Sequence, residues 1–480
     1  VTTPQHSEAP WWGDHLLAGQ PGDAVWARAE ATVTWAELRE RVERSAGMFA
    51  AQGIGHGSSV ALRLPPSLTG IWSLMALWSL GAQVQLLDHR LKTSEVQRIL
   101  DLCEPRHYVH VTDDAATAQF RDECEVYVEW RRRGRNARSD HCLVQFSSGS
   151  TGRPKVIGRT SRSLRAELQA FSRLEGMPRP GERVLLLNST IHSFGLIGGV
   201  LHALNTGATV VFTSRLQPDA LLRTLVEENI DVLFGVPFHF DLLSRVVIPP
   251  PLPRLRLAVS GGEGLPPQVH QRFLERYGIR VGQAYGTTET GIIATDLAGE
   301  LGPPAVGRVV PGVRTRVDGG ELRIGLDRSP YLQEQGTDRY HDGWLNSRDL
   351  AEFDAADGAL RITGRSDSLV AVGGLKVDLL EVEHALATHP AVREVVVVQG
   401  DGIEAHVGAP DGLSVTELLA FARERLSNFK IPRRVHIVPS LPRTDNGKLL
   451  RTAELLRAGH AAGRPLGATR ASRALTGEKG

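Results

Sequence analysis

The chain has 480 residues, a formal net charge of +1, 41% hydrophobic and 23% charged residues. That length exceeds one typical core, so two or three domains are expected, and the balanced charge argues against nucleic acid or an anionic membrane as partner. Cys103, Cys124 and Cys142 form neither a CxxC pair nor a disulfide framework, which argues against a zinc site and points to a reducing, cytoplasmic setting. Residues Val1 to Pro10 are polar and lack a signal-peptide core. The apolar stretch Ile71 to Leu87 is broken by Ser79, Gly81 and Gln83. It falls short of the ~20 residues that span a bilayer and reads as a buried helix running into a strand.

In chain order, strand Val60–Leu64 leads through a helical stretch to strand Gln83–Leu87. Strand Val184–Asn188 precedes an apolar helix near Leu196–Leu204 and strand Thr209–Thr213. Helix Pro218–Glu228 leads to strand Asp231–Val236, and strand Leu255–Ser260 to helix Pro266–Tyr277. This alternation predicts layered α/β structure with mainly parallel sheets. After about Gly364 the elements shorten: helix Leu379–Thr388, strands Glu394–Gln399 and Glu404–Gly408, helix Val415–Leu426 and strand Arg434–Val438. The expected organisation is a region 1–365 of two or three subdomains, a small α+β domain 366–460, and a disordered Gly/Ala/Arg/Ser-rich tail 461–480.

Only six lysines occur, Lys92, Lys155, Lys376, Lys430, Lys448 and Lys479, because arginine fills the other basic positions. Lysine offers a compact, flexible point charge that a planar guanidinium cannot imitate. Lys155 ends Ser147-Ser148-Gly149-Ser150-Thr151-Gly152-Arg153-Pro154-Lys155, whose glycines let backbone N–H groups crowd an anion while its hydroxyls add donors. The run is not a Walker loop, and no strand leads into GxGxxG. Lys376 follows Gly373-Gly374-Leu375, and Lys448 ends Thr444-Asp445-Asn446-Gly447-Lys448. Between them lie Gly261-Gly262-Glu263, Ala284-Tyr285-Gly286-Thr287-Thr288-Glu289, Ser347-Arg348-Asp349 and Gly364-Arg365-Ser366-Asp367.

Together and in this order these motifs resemble the adenylate-forming superfamily: acyl-CoA synthetases, adenylation domains and firefly luciferase. The resemblance spans roughly Thr34 to Arg451. It implies a large α/β region with a small mobile C-terminal lid, and the phosphate role for Ser147, Ser148, Gly149, Ser150, Thr151, Gly152 and Lys155. It implies adenine-pocket walls at Gly261, Gly262, Glu263, Ala284, Tyr285, Gly286 and Thr287, and ribose contacts at Asp349 and Arg365. Thr288 would meet the α-phosphate, Glu289 would hold Mg²⁺, Asp367 would be the hinge, and Lys448 would bridge the substrate carboxylate and α-phosphate. Gly373 and Gly374 would flank a pantetheine tunnel. Two departures stand out. Arg348 occupies a position where glycine would serve a tight turn. Val156-Ile157-Gly158-Arg159-Thr160 after Lys155 is similar to the aryl-acid-activating branch.

Carboxylate attack on phosphate joins two anions, so a mobile cation and Mg²⁺ suit its transition state. Ile191-His192-Ser193-Phe194-Gly195-Leu196 resembles the acyl-pocket motif and carries no acid, which disfavours a substrate with an α-ammonium. Candidate lining is His192, Phe194, Gly195, Val236, Phe238, His239, Ala284 and Ile292, with Gly195, Gly198 and Gly199 leaving room. The Arg131-Arg132-Arg133-Gly134-Arg135 run reads as a solvated loop or as a dock for CoA phosphates or an acidic carrier protein. About thirty residues follow Lys448 without a helical-bundle pattern. A thiol acceptor, CoA or the phosphopantetheine of a separate acyl or peptidyl carrier protein, is therefore expected in trans. The expected function is an ATP-dependent ligase turning a small aryl or aliphatic acid into acyl-AMP and then a thioester. Loading of a carrier protein in a biosynthetic pathway, transfer to an amine, and a non-catalytic acyl-nucleotide binder are the alternatives.

Overall fold

The computed structural model describes residues 11–112, 120–147, 154–334, 336–366, 368–409, 412–442 and 449–462. Of the expected site, Ser148, Gly149, Ser150, Thr151, Gly152, Asp367 and Lys448 lie outside the described residues, as does the tail beyond 462. The chain divides into a large unit up to residue 367 and a small one built mainly from residues beyond it.

Two sheets organise the large unit. In the first, Val25–Arg28, Thr209–Val211, Arg183–Leu186, Val232–Gly235, Leu257–Gly261 and Val281–Thr287 run parallel side by side. Most of these strands are buried on both faces, and their near-continuous apolar runs fit such burial. In the second, Ser59–Arg63, Gln83–Leu86, His107–His110 and His141–Ser147 are parallel, flanked antiparallel by Tyr127–Trp130 and Lys155–Thr160. Helices Trp35–Ala51 and Leu68–Ser79 pack against each other; Leu68–Ser79 is buried nearly all round, as its apolar sequence requires.

The largest difference from the sequence reading lies between Gly291 and Arg365. Strands Gly291–Asp296, Ala305–Val309, Thr315–Asp318, Glu321–Gly325, Trp344–Phe353 and Leu360–Arg365 extend the first sheet antiparallel. Thr315–Asp318 and Glu321–Gly325 alternate inward and outward residues, as strands with one wet face do, but each is only four or five residues long. The expected helix near Leu196–Leu204 is a π-helix, Phe194–Leu201, followed by α-helix His202–Thr206. Contrary to the sequence expectation, Gly195, Gly198 and Gly199 do not open space; a Cβ there would lie 2.2 Å from Ser189 O, 3.0 Å from Phe171 and 2.8 Å from Leu186, so they bring the helix close against its neighbours.

In the small unit, Glu394–Gln399 pairs antiparallel with Ile403–Gly408, which pairs in parallel with Arg434–Val438. Val395, Val397, Ala405 and Val407 pack with Leu379–Ala387 and Val415–Arg425, while Val396 and Val398 meet Leu456 of helix Ala453–Ala462. A charged cluster lies on this sheet. Cross-strand partners His406 and His436 stack at 4.8 Å, and their Nε2 atoms lie 3.1 and 3.0 Å from Glu404 Oε1. Arg457 donates Nε to Oε1 at 2.8 Å and Nη2 to Oε2. Arg457 holds both oxygens of the buried Glu404 carboxylate, so the Glu404–Arg457 ion pair anchors the cluster.

The Arg457 bonds hold the Glu404 carboxyl down at about 2 against the opposing effect of burial. An unfolded glutamate titrates near 4.3, so this stabilisation is complete above that pH and disappears as pH falls toward 2. Glu404→Gln is expected to cost about 1–3 kcal/mol at pH 7. In urea melts at several pH values, its deficit against wild type should shrink steadily between about pH 4.5 and 2.

Candidate active site

The C-terminal ends of two adjacent parallel strands form one wall. Gly261 ends Leu257–Gly261 and is the Cα partner of Ala284 in Val281–Thr287. The expected adenine-pocket runs therefore lie side by side, where open α/β sheets place their ligands. A Cβ on Gly261 would fall 2.8 Å from the Phe194 ring, and Gly262 has φ +95°, so both need glycine. Burial raises the Glu263 carboxyl.

Asp349 is brought to this wall from the antiparallel extension. Tyr285 OH donates to its Oδ2, from 64 residues away, and Arg365 Nη1 donates to Oδ1 at 2.5 Å. Asp349 and Arg365 are direct partners across their strand pair. Burial, then the Asp349 charge, pushes the Tyr285 hydroxyl well above its ordinary range, so it remains a donor. Each carboxylate oxygen has two lone-pair directions, leaving capacity to accept from vicinal hydroxyls.

Arg348 has φ +64°, the left-handed conformation that glycine would adopt easily. Arg348 N donates to Asn346 Oδ1 at 2.8 Å, Asp349 N to Ser347 Oγ at 3.1 Å, and Ser366 N to Arg348 O at 2.8 Å. These bonds hold the turn in spite of the side chain.

Thr288 and Glu289 occupy the turn between Val281–Thr287 and Gly291–Asp296. Glu289 is buried; its Oε1 accepts from Tyr331 OH at 3.1 Å and lies 3.5 Å from Arg339 Nη1. Arg339 also donates to Asn346 O and Ser347 O, at 3.0 and 2.7 Å, linking this turn to the Asp349 strand. Sequence reasoning missed Tyr331 and Arg339. The available signal was that a buried carboxylate needs a countercharge and that Arg339 precedes Asp349 closely. The Glu289 carboxylate and neighbouring threonine hydroxyls are hard oxygen donors, which fit Mg²⁺.

Ser147 and Lys155 face each other as partners where strands His141–Ser147 and Lys155–Thr160 meet, and Lys155 is buried. Gln145 on the first of these strands donates Nε2 to Ile191 O at 2.7 Å and accepts from Ser193 Oγ at 3.0 Å. It ties the expected phosphate hairpin to the expected acyl segment, a link that the sequence did not reveal.

Around that segment, Ala284 and Ile292 are buried and Phe194 lies 5.3 Å from Phe234. A Cβ on Gly195 would strike Ser189 O at 2.2 Å. His239 is buried and held neutral, its pKa pushed down to about 4 by desolvation, and its Nδ1 accepts from Val236 N. Phe238 is 54% exposed, and His192 is exposed too. The 191–196 run has no acid of its own, but the fold brings Asp88 near His192. Arg90 binds both Asp88 oxygens, at 2.9 and 2.6 Å, and with burial opposing it holds that carboxyl at about 2. Gly373 and Gly374, with φ +57° and +83°, form the turn between Leu369–Val372 and Leu375–Asp378.

Residues 14–325 match the family model of the AMP-binding enzymes, and residues 381–448 match the model of the AMP-binding enzyme C-terminal domain. The chain is an AMP-binding enzyme. It belongs to the adenylate-forming superfamily, among AMP-forming, acyl-CoA-synthetase-like ligases. This AMP-binding enzyme is 29% identical to a feruloyl-CoA synthase of Amycolatopsis sp, over 87% of this chain and 92% of that one. It is 31% identical to benzoate–CoA ligase of Thauera aromatica over 65% of each chain, and 28% identical to p-hydroxybenzoic acid–AMP ligase FadD22 of Mycobacterium tuberculosis over 91% of this chain and 68% of that one. Amide bond synthetase McbA from Marinactinospora thermotolerans superimposes with TM-score 0.79 at 25% identity, covering 93% of this chain and 99% of that one. An o-succinylbenzoate CoA synthetase from Bacillus subtilis shares the fold with TM-score 0.79 at 23% identity, over 94% and 99%. No helix among the described residues is long and apolar enough to cross a membrane.

The left-handed strain at Arg348 yields a stability prediction. Arg348→Gly should fold with a melting temperature equal to or above wild type, since relief of strain offsets glycine's extra chain entropy. Arg348→Val, β-branched at positive φ, should lose about 1–3 kcal/mol. Calorimetry on the three proteins checks both.

Proposed function

We propose that this chain joins a small carboxylic acid to AMP with release of pyrophosphate and then transfers the acyl group to the thiol of coenzyme A. The observation that carries this reading is the Asp349 carboxylate, held between Tyr285 and Arg365 against the Gly261–Ala284 wall and linked through Arg339 to the Glu289 turn. That layout suits a ribose beside a cation-assisted phosphate. Relatives named for feruloyl-CoA and benzoate–CoA chemistry support an aryl acid. Ala284 and Ile292 are buried apolar groups, His239 is neutral, and Arg90 already matches the Asp88 charge, which argues against an α-ammonium beside them.

In the first step a substrate carboxylate oxygen attacks the α-phosphorus of ATP and the bond to pyrophosphate breaks. Lys155 supports the departing phosphates, and Lys448 offsets the joined negative charge of carboxylate and α-phosphate. Glu289 with Thr288 would hold Mg²⁺, which when bound neutralises phosphate charge. Asp349 and Arg365 orient the ribose. In the second step the thiol sulfur, after losing its proton, attacks the acyl carbon and AMP leaves.

A second reading is loading of a separate carrier protein; the p-hydroxybenzoic acid–AMP ligase, of which this chain covers 68%, is named for the acyl-AMP step that both readings share. Pyrophosphate release across a panel of aryl, aliphatic and α-amino acids tests the first step. Thioester formation with CoA against carrier-bound phosphopantetheine separates the two acceptors. No release with any acid, with ATP still bound, would leave a non-catalytic nucleotide binder.

Two variants sharpen the assignment. Glu289→Gln should slow pyrophosphate release by about 10²–10³ at limiting Mg²⁺, the cost of one preorganised charge contact. Lys448→Ala should nearly abolish acyl-AMP formation while leaving thioester formation from supplied acyl-AMP largely intact. Separate assays of the half-reactions check this, and equal slowing of both would remove Lys448 from its adenylation role.

A further inference from the structure

One buried ion pair in the large unit has no part in the scheme above. Arg159, on strand Lys155–Thr160, donates Nη2 to Glu167 Oε2 at 2.7 Å, and the two side chains are 4% and 5% exposed. Arg159 Nε also donates to Ser163 Oγ at 3.1 Å, inside helix Ser161–Arg173 that carries Glu167. The other carboxylate oxygen, Oε1, accepts from Ile292 N at 3.0 Å, a bond spanning 125 residues. Beside it, Gly291 has φ +77°, and a Cβ there would lie 2.2–2.4 Å from the Glu167 carboxylate atoms. The carboxylate therefore rests directly on the backbone where strand Gly291–Asp296 begins.

A buried ion pair is a weak source of stability; well-packed apolar side chains of similar volume often do as well or better. Apolar side chains could not accept the Ile292 N–H, and that bond fixes the return side of the turn that presents Thr288 and Glu289. Thr287 and Gly291 are partners across this hairpin, so setting Gly291 and Ile292 sets the turn between them. The other end of the pair stands on the strand that begins at Lys155. Lys155 and Arg159 are four residues apart, hence on the same side of that strand. One carboxylate thus holds the register between the strand of the phosphate lysine and the hairpin of the metal carboxylate.

We infer that Glu167, held by Arg159, is a positioning residue for Mg·ATP: it sets the Thr288–Glu289 turn relative to Lys155 through its bond to Ile292 N. The inference deepens the proposed adenylation and rests on it for the identity of the nucleotide.

The test compares two full-length double variants that both lack the ion pair. Arg159→Met with Glu167→Gln keeps a carbonyl acceptor for Ile292 N–H; Arg159→Met with Glu167→Leu does not. ATP affinity is measured by titration calorimetry with Mg²⁺ and with EDTA, without acid substrate, and melting temperatures are recorded beside it. The Gln pair should bind Mg·ATP within about threefold of wild type. The Leu pair should bind it 10–100-fold more weakly, a deficit that largely vanishes in EDTA and exceeds what any difference in melting temperature predicts. Equal Mg·ATP affinity in the two double variants would overturn the inference, as would a loss that is the same with EDTA. Should the Leu pair fail to fold, Glu167→Asp replaces it. Aspartate keeps the charge but withdraws the oxygen from Ile292, so about tenfold weaker Mg·ATP binding is expected and unchanged binding overturns the inference. Wild-type Mg·ATP binding without pyrophosphate release from any acid would defeat the adenylation reading alone. Absence of Mg·ATP binding by wild type would defeat both.

Discussion

A carboxylate removed from water must be matched by charge and hydrogen bonds, and the large unit is laid out around three such groups. Asp349 sits between Tyr285 and Arg365, Glu289 between Tyr331 and Arg339, and Glu167 between Arg159 and the backbone of Ile292. Each joins segments that are distant in sequence. Arg339 connects the second to the strand of the first, and Glu167 grips the hairpin that bears the second. The result is a set of acids whose directions are fixed before any ligand arrives. Such preorganisation is what electrostatic catalysis demands, because no reorganisation is left for the reaction itself.

Glycine supplies the complementary constraint, close approach. Gly261 admits the Phe194 ring against its strand, Gly291 admits the Glu167 carboxylate, and Gly195 lies against Ser189 O. These positions carry no chemistry of their own. They let apolar walls and charged groups come nearer than any side chain would allow. Arg348 shows the opposite solution, a left-handed residue that is not glycine and is held by three surrounding hydrogen bonds.

Legibility in the sequence followed the range of the interactions. The parallel strands were readable because burial on both faces makes them short apolar runs between turns. The antiparallel strands between Gly291 and Arg365 are harder to read, because an alternation that lasts only four or five residues, as in Thr315–Asp318 and Glu321–Gly325, is too short to stand out. The π-helix at Phe194–Leu201 read as an ordinary apolar helix, since composition does not register one extra residue per turn. Asp88 is about a hundred residues from His192 in sequence, and only the fold brings them together.

The sequence by itself determined the family and the identity of the expected chemical groups. Phosphate loops, tight turns and hydroxyl–acid runs are built from residues close together in the chain, so their spacing survives in one dimension. Tertiary structure alone decided the partners: Tyr331 and Arg339 for Glu289, Gln145 for the 191–193 segment, Arg159 and Ile292 for Glu167. The reason is physical. A countercharge is chosen by which side chains the sheet register and helix packing bring within about 3 Å, and nothing in the local sequence of either partner encodes that distance.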